Sequence, residues 1–197
     1  IGDLTARTPI VQGGMGVGIS LSGLASAVAN EGGIGVIAGA MIGMLEPDVT
    51  KDPLGANIRA LAREIKKARE KTKGIMVALT SFRDLVRTAI ANRADVIFSG
   101  AGLPTDLPRH LLELCEEKKE EFKTKLIPIV SSARAASILA KKWMRHFNYV
   151  PDGFVVEGPM AGGHLGFREN EITDQAFSLD KIVPPIVEVA KKLEDAC

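Results

Sequence analysis

The 197-residue sequence has few cysteines, no long apolar run and no excess of charge of either sign. Its two cysteines, Cys115 and Cys197, lie far apart and predict neither a disulfide framework nor a metal site, as in proteins of a reducing cytosol. No run approaches the roughly 18 apolar residues of a membrane-spanning helix, and the first residues lack the basic-then-apolar order of a signal peptide. We therefore expect a soluble, cytoplasmic protein.

The positive and negative charges of the chain nearly cancel, and this balance argues against some classes of binding partner. Lysine and arginine number 25 against 24 aspartates and glutamates, for a formal net charge of +1. This balance gives no electrostatic footprint for nucleic acid or for an anionic membrane. With 46% apolar residues, the chain is long enough for one sizeable core or for part of a larger domain. We expect a globular protein without nucleic-acid or membrane partners.

Short apolar runs alternate with helical patterns along the whole chain. Six candidate strands, each dominated by a run of apolar residues, lie at residues 9–12, 35–38, 75–79, 95–98, 126–130 and 153–156. The candidate helices lie at residues 21–30, 54–71, 82–92, 107–122, 133–147 and 179–193. A continuously apolar strand is typical of a parallel sheet that is covered on both faces. Six strand–helix pairs therefore predict parallel βα units.

Two architectures accept such units, the closed barrel and the open doubly wound sheet. The glycines at residues 13–18 lack the G-x-G-x-x-G spacing of a dinucleotide-binding loop, and no acidic residue ends the second strand. Polar or glycine-rich segments instead follow most of the strands, at residues 12–15, 80–81, 99–102, 131–132 and 157–164. Ligand-binding groups at several strand ends are typical of a barrel. We predict a TIM-type (β/α)8 barrel of which about six βα units are present.

The most informative segment is residues 157–166, which follow the apolar run 153–156 directly. It contains one carboxylate (Glu157), one histidine (His164) and four glycines. Glycines leave room for a ligand to approach the backbone, and histidine is the side chain best suited to move a proton near neutral pH. The segment therefore predicts a flat, phosphate-bearing cofactor beside an acid/base residue.

Other conspicuous residues are better explained by structure. The glycine-rich residues 32–35 are expected to end one helix and begin a strand. His110, His146 and Trp143 lie in or beside cover helices without neighbouring ligand types, so we interpret them as structural. Residues 131–132, both serines, fit two roles equally well, a cofactor contact or the cap of the following helix.

Five segments, in order along the chain, resemble the nitronate monooxygenase family, formerly called 2-nitropropane dioxygenases. They are residues 9–17, 31–37, 75–78, 99–104 and 157–166. The histidine-containing segment also resembles that of the flavin-dependent enoyl-acyl-carrier-protein reductases, and some members of the family resemble NADH:quinone reductases. The resemblance runs from near residue 9 to near the C-terminus.

This resemblance implies an FMN-binding barrel with the isoalloxazine ring over the carboxyl ends of the strands. The residues that it places against the flavin are Gln12, Gly13, Gly14 and Met15 from the first loop, and Glu157, Ala161, Gly162 and Gly163 from the sixth. His164 would face the substrate as the catalytic base. The substrate would be an anionic nitronate, or a nitroalkane from which the base removes the α-proton, and oxidation with O2 would give a carbonyl compound and nitrite.

The resemblance leaves an alternative reaction open. A reductase would take NAD(P)H and an enoyl thioester or a quinone, with the histidine assisting positioning or protonation. Either enzyme acts on a small molecule, and the resemblance also allows a homodimer.

The sequence departs from the family at two places. Relatives carry Gly-Val-Asn before the strand at residues 75–78, with the asparagine contacting FMN, whereas residues 71–74 run directly into Ile75 here. Six βα units are also fewer than the eight of a closed barrel, which would leave apolar edges exposed and the phosphate site of the last two loops missing. We therefore interpret residues 1–197 as the N-terminal and central part of one FMN-binding barrel domain. A third hypothesis, a non-catalytic fragment that binds no flavin by itself, rests on the same missing strands.

Overall fold

The computed structural model describes residues 1–74, 76–79, 83–163 and 165–195. The strands among them are β1 Gly35–Ala38, β2 Met76–Leu79, β3 Val96–Ser99, β4 Lys125–Val130 and β5 Val155–Val156. The α-helices are α1 Ser22–Asn30, α2 Pro53–Lys71, α3 Arg83–Ala91, α4 Leu107–Lys118, α5 Ala133–Phe147 and α6 Leu179–Glu194. Two short 3-10 helices, Glu169–Glu171 and Gln175–Phe177, precede α6. In the described part of the chain, every helix falls short of what crossing a membrane demands in length and apolarity.

The predicted alternation of strands and helices is confirmed, and the strand pairs are parallel. β1 pairs with β2, with Val36 opposite Val77, and β2 pairs with β3. β4 pairs with β5, with Val130 opposite Val156. The fold is therefore mixed α/β and built from parallel βα units, while the closure of the strands into a barrel stays a prediction.

The chain forms two compact units. The first consists of Ile1–Phe98 and Arg109–Lys125, and the second of Ser99–Pro108 and Leu126–Cys197. In the first unit, α2 packs against both α1 and α3. The contact of α1 with β1 is so close that a Cβ on Gly35 would lie 1.9 Å from the carbonyl oxygen of Ala25, so only glycine fits there.

The core of the second unit surrounds Trp143, which is fully buried on α5. Its indole N–H donates to the carbonyl oxygen of Pro104 at 2.9 Å, and its ring meets Tyr149 edge-on. Burial and the hydrogen bond from the Tyr149 hydroxyl to Asp152 (2.6 Å) raise the pKa of Tyr149 well above its usual value. The structural role predicted for Trp143 is confirmed.

Two predicted boundaries in the first unit are wrong. The strand predicted at residues 9–12 is reduced to one parallel bridge between Val11 and Ile34. The helix predicted at residues 107–122 ends at Lys118, because Lys119 takes the left-handed φ of 50°. The N–H of Glu120 then closes the last turn on the carbonyl oxygen of Cys115 at 3.2 Å.

The last predicted strand is also shorter than expected, at Val155–Val156. Before it, the side chain of Asp152 accepts the N–H of Leu126 at 2.8 Å while the N–H of Asp152 donates to the carbonyl oxygen of Leu126 at 3.2 Å. The carboxylate of Asp152 thus accepts the N–H of Leu126 in place of the backbone carbonyl of a paired strand. Parts of two predicted elements, Ile75 and Phe82, and the polar residues 80–81 lie outside the described residues.

A buried carboxylate closes the N-terminus of α1. The residue before the helix, Leu21, offers no side-chain cap, and Glu64 of α2 accepts instead from the N–H of Ser22 at 3.1 Å and from its hydroxyl at 2.6 Å. The ammonium group of Lys67 lies 3.2 Å from the other carboxylate oxygen. Burial opposes ionisation, but these hydrogen bonds outweigh it and hold the pKa of Glu64 below its usual value.

We expect Glu64→Gln to lower the free energy of unfolding at pH 7 by about 1.5–3 kcal/mol, the range for hydrogen bonds to charged groups. Since the folded state lowers the pKa, the carboxylate contributes fully above its ordinary value of 4.5 and loses that contribution as the pH falls through the lower folded-state pKa. Urea unfolding at pH 7 and pH 3 should therefore show the gap between wild type and variant narrowing. Glu70→Gln, on the exposed side of the same helix, is the control with little effect. A gap that does not change with pH would contradict this role of Glu64.

Candidate active site

The side chain of Gln12 takes the place of a peptide group beside β1. Backbone pairing continues as far as the N–H of Gln12, which donates to the carbonyl oxygen of Ile34 at 3.0 Å. Two residues after Ile34, the side chain of Gln12 pairs with the backbone of Val36. Nε2 of Gln12 donates to the carbonyl oxygen of Val36 at 3.0 Å, and Oε1 of Gln12 accepts the N–H of Val36 at 3.2 Å. Val36 is completely buried, so both of its backbone groups need partners. The side chain of Gln12 therefore hydrogen-bonds to β1 at the position where backbone pairing has ended.

The turn that follows Gln12 is fastened by Ser20, which is itself buried. The hydroxyl oxygen of Ser20 accepts from Nε2 of Gln12 at 2.9 Å and from the N–H of Met15 at 3.0 Å. The same hydroxyl donates to the carbonyl oxygen of Gly13 at 3.4 Å. The backbone of this turn is thus fixed by polar contacts within the protein.

The glycines of this turn remain open. Within the described part of the chain, the N–H groups of Gly13 and Gly14 donate to no protein acceptor. A Cβ on Gly13 would meet no described atom within 4 Å. Met15 exposes 45% of its surface, while its N–H is already taken by Ser20. Two free neighbouring donors on an open backbone suit the oxygen atoms of a ligand.

The loop at residues 157–166 is joined at its base. The N–H of Glu157 donates to the carbonyl oxygen of Val130 at 2.9 Å, continuing the pairing of β5 with β4. The carboxylate of Glu157 then accepts the N–H of Gly166 at 2.9 Å. The hydroxyl of Ser131, which directly follows β4, donates to the carbonyl oxygen of Gly166 at 3.4 Å. Both ends of the loop therefore meet at the carboxyl ends of two paired strands.

The tip of this loop is open backbone. The N–H of Ala161 donates to the carbonyl oxygen of Gly158 at 3.1 Å, which makes a turn. A Cβ on Gly162 or on Gly163 would meet no described atom within 4 Å. Gly163 has a φ of +91°, a conformation that side-chain-bearing residues rarely adopt. The tip can therefore be approached closely by a flat ligand.

The structure places eight of the nine predicted site residues. Four, Gln12 to Met15, lie in the first unit, and four, Glu157 and Ala161 to Gly163, lie in the second. His164, the predicted base, lies outside the described residues. The roles of all nine in cofactor binding and catalysis stay predictions. The side chains of Gln12 and Glu157 are engaged with the protein's own backbone, so both have a structural role that the sequence did not indicate.

Three supporting residues were not among the predicted ones. Ser20 and Gly166 carry no sequence signal beyond their place beside glycine-rich segments. Of the two serines with open roles, Ser132 accepts the N–H of Ala135 at 3.2 Å and so caps α5, whereas Ser131 contacts Gly166. The helix cap is thus the role of Ser132, and Ser131 supports the loop. The glycine-rich residues 32–35 end α1 and begin β1, as predicted.

Comparison with known proteins decides the family. A model of the nitronate monooxygenase family matches residues 2–191, nearly the whole chain. The chain belongs to the nitronate monooxygenase family. A comparison with curated protein sequences finds no significant match.

Two solved structures are similar to this member of the family. FabK from Thermotoga maritima is 28% identical, with a TM-score of 0.60, over 82% of this chain and 44% of its own. A nitroalkane oxidase from Streptomyces ansochromogenes is 17% identical, with a TM-score of 0.66, over 92% of this chain and 56% of its own. The chain thus spans about half the length of the structures it matches. At 17% identity, the likeness to the nitroalkane oxidase concerns the fold alone.

We expect Gln12→Leu, which keeps the size of the side chain but removes its polar atoms, to lower the free energy of unfolding by about 2–4 kcal/mol. It leaves the two buried backbone groups of Val36 without partners, each at about 1–3 kcal/mol. Urea unfolding of wild type and variant measures the difference. Gln175→Leu, at an exposed position, is the matched control. Equal stability of Gln12→Leu and wild type would show that the amide does not hold β1.

Proposed function

We propose that this chain is the cofactor-binding and base-bearing part of an FMN-dependent nitronate monooxygenase. Membership of the family supports the proposal. The observation that carries it is the loop at residues 157–166, because its base is tied by Glu157 while its tip, Ala161 to Gly163, stays open. A fixed loop with open backbone is what a flat cofactor beside a catalytic side chain requires.

The described residues fit FMN in two separate places. Gly13 and Gly14 offer N–H groups that no acceptor among the described residues takes, and Gly162 and Gly163 offer backbone with no Cβ in the way. We propose that these glycines, with Met15 and Ala161, border the flavin, and that Gln12 and Glu157 hold the two loops in shape. When bound, FMN supplies the electron acceptor for oxidation of the substrate carbon. Closure of the barrel around it belongs to the same proposal.

His164 is the proposed base. It directly follows Gly163, so it belongs to the loop that Glu157 ties. A neutral imidazole can take the α-proton of a nitroalkane at neutral pH and leave the anionic nitronate. Substrates that arrive as nitronates need no such proton transfer. Oxidation with O2 then gives a carbonyl compound and nitrite.

We expect the flavin-loaded protein to take up O2 with ethylnitronate or propionate 3-nitronate. With nitroethane, His164→Ala should lower kcat/KM by about 10²–10⁴, the usual contribution of a general base. With the preformed nitronate the loss should be smaller, because no proton has to be removed. His146→Ala, at an exposed position on α5, is the matched control. With nitroethane, O2 uptake no higher than that of His164→Ala would reject His164 as the base, and the absence of O2 uptake with every one of these substrates would reject the proposed activity.

A second candidate, an FMN-dependent enoyl-thioester reductase, is favoured by one observation. FabK, an enoyl-acyl-carrier-protein reductase, is 28% identical to this chain, and the nitroalkane oxidase only 17%. In that reaction His164 would assist the protonation of the reduced thioester. A quinone reductase would be a related enzyme in which a quinone replaces the enoyl thioester as the substrate.

Anaerobic mixing with NADH and NADPH separates the two candidates. For a nitronate monooxygenase we expect flavin absorbance to stay when either nucleotide is added and to bleach when ethylnitronate is added. Rapid bleaching by a nucleotide, reversed by an enoyl thioester or a quinone, would instead identify a reductase. Protein denatured before mixing is the control for bleaching by free flavin.

A further inference from the structure

We propose that Glu157, Ser131 and Gly166 form a clamp that positions the loop carrying His164, with Glu157 acting through Gly166 as a hydrogen-bond acceptor. In this role Glu157 is a positioning residue and neither transfers a proton nor ligates the flavin. The inference rests on the proposed role of His164 as the base. We call these three residues the loop clamp.

Gly166 is held at both of its backbone polar groups. Its N–H donates to Oε2 of Glu157 at 2.9 Å, and its carbonyl oxygen accepts from the hydroxyl of Ser131 at 3.4 Å. Ser131 follows Val130, and Glu157 follows Val156, and those two valines are paired across β4 and β5. The sheet therefore holds Ser131 and Glu157 in place, and these two residues, the anchors of the loop clamp, hold Gly166.

The packing around Gly166 is independent evidence for the loop clamp. A Cβ at this position would lie 2.6 Å from the hydroxyl oxygen of Ser131 and 3.2 Å from Oε2 of Glu157. The hydroxyl of Ser131 thus lies closer to Gly166 than a Cβ allows without displacing it, and Oε2 of Glu157 lies at a tight contact distance. A side chain at position 166 would push against both anchors, whereas a Cβ on Gly162 or Gly163 meets no described atom.

The position of the clamp in the chain explains what it does. His164 lies one residue after Gly163, whose φ is +91°, and two residues before Gly166. Glycines on the N-terminal side of the histidine allow many backbone conformations, so they do not by themselves fix its place. The tie at Gly166 is the described constraint nearest to the histidine in sequence. A catalytic group displaced by about 1 Å can lose about 10² in rate, so such a constraint has a direct kinetic effect.

In the loop clamp, Glu157 has to act only as a hydrogen-bond acceptor for the N–H of Gly166. Among the described residues, no lysine or arginine is paired with its carboxylate, whereas the N–H of Gly166 lies within hydrogen-bond distance. An amide oxygen can accept the same N–H, although less strongly than a carboxylate. Glutamine at position 157 should therefore preserve the clamp, and alanine should abolish it.

The first test compares Glu157→Gln with Glu157→Ala in the FMN-loaded protein, with nitroethane as substrate. We expect Glu157→Ala to lower kcat by about 10–100-fold, with KM and the Kd for FMN changed less than about threefold. Glu157→Gln should recover most of that kcat. Equal losses in both variants would indicate an acid/base role and overturn the proposal, as would a weakened Kd for FMN in both.

The second test needs neither flavin nor activity. Arg168 is exposed and follows Gly166 by two residues, so the rate of trypsin cleavage after Arg168 reports on how firmly the loop is held. We expect Glu157→Ala to be cut faster there than wild type and Glu157→Gln to be cut at nearly the wild-type rate, with cleavage after Arg145 in α5 as the internal control. Identical rates in all three proteins would overturn the clamp. If His164 is not the base, this pattern persists while the kinetic effect disappears, so the two failures are distinguishable.

The third test addresses packing. Gly166→Ala should speed cleavage after Arg168, since its Cβ pushes against Ser131. Ser131→Ala, which removes only the hydroxyl that donates to the carbonyl oxygen of Gly166, should speed cleavage as well. A wild-type rate for Ser131→Ala would overturn the place of Ser131 in the clamp. If Gly166→Ala does not fold, the two Glu157 variants still decide the proposal.

Discussion

Buried backbone groups at the ends of short parallel strands must find hydrogen-bond partners, and in this chain side chains supply them. The amide of Gln12 pairs with both backbone groups of Val36, and the carboxylate of Asp152 accepts the N–H that begins β4 pairing at Leu126. The carboxylate of Glu157 also accepts the N–H of Gly166, an exposed residue beyond the end of β5. Side chains thus pair with backbone groups at or near the ends of strands that are only two to six residues long.

Within each glycine-rich segment, the polar residues and the glycines therefore have different roles. The polar members, Gln12 and Glu157, bind the protein's own backbone, whereas a Cβ on Gly13, Gly162 or Gly163 would meet no described atom within 4 Å. The described contacts of both side chains are internal, and such contacts restrict the backbone beside them. A backbone that is already restricted loses less conformational entropy when a ligand binds to it.

The sequence predicts the helices better than the strands, for physical reasons. α5 begins and ends where predicted, because Ser132 caps its first turn and Asn148, in the left-handed conformation, stops it. The segment at residues 9–12 is as apolar as a real strand, and apolarity does not reveal that the amide of Gln12 will replace its backbone. Sequence patterns likewise mark Gly166 only as one more glycine, because its need for close approach to Ser131 arises from chain segments 35 residues apart.

The open tip of the loop would suit an oxidase and a reductase equally well. Ala161 to Gly163 offer backbone rather than large or charged side chains, so under the proposed function recognition there would follow the donor and acceptor pattern of the cofactor and not that of the substrate. The higher identity to FabK therefore bears on ancestry more than on the reaction. The two reactions differ in the direction in which a proton moves, since nitroalkane oxidation needs a base before oxidation and thioester reduction needs an acid after hydride delivery. One histidine can act in both directions near neutral pH, so the proton-transferring residue alone does not select the reaction. The selection must come from which reactant reaches the cofactor, a nucleotide or a nitronate.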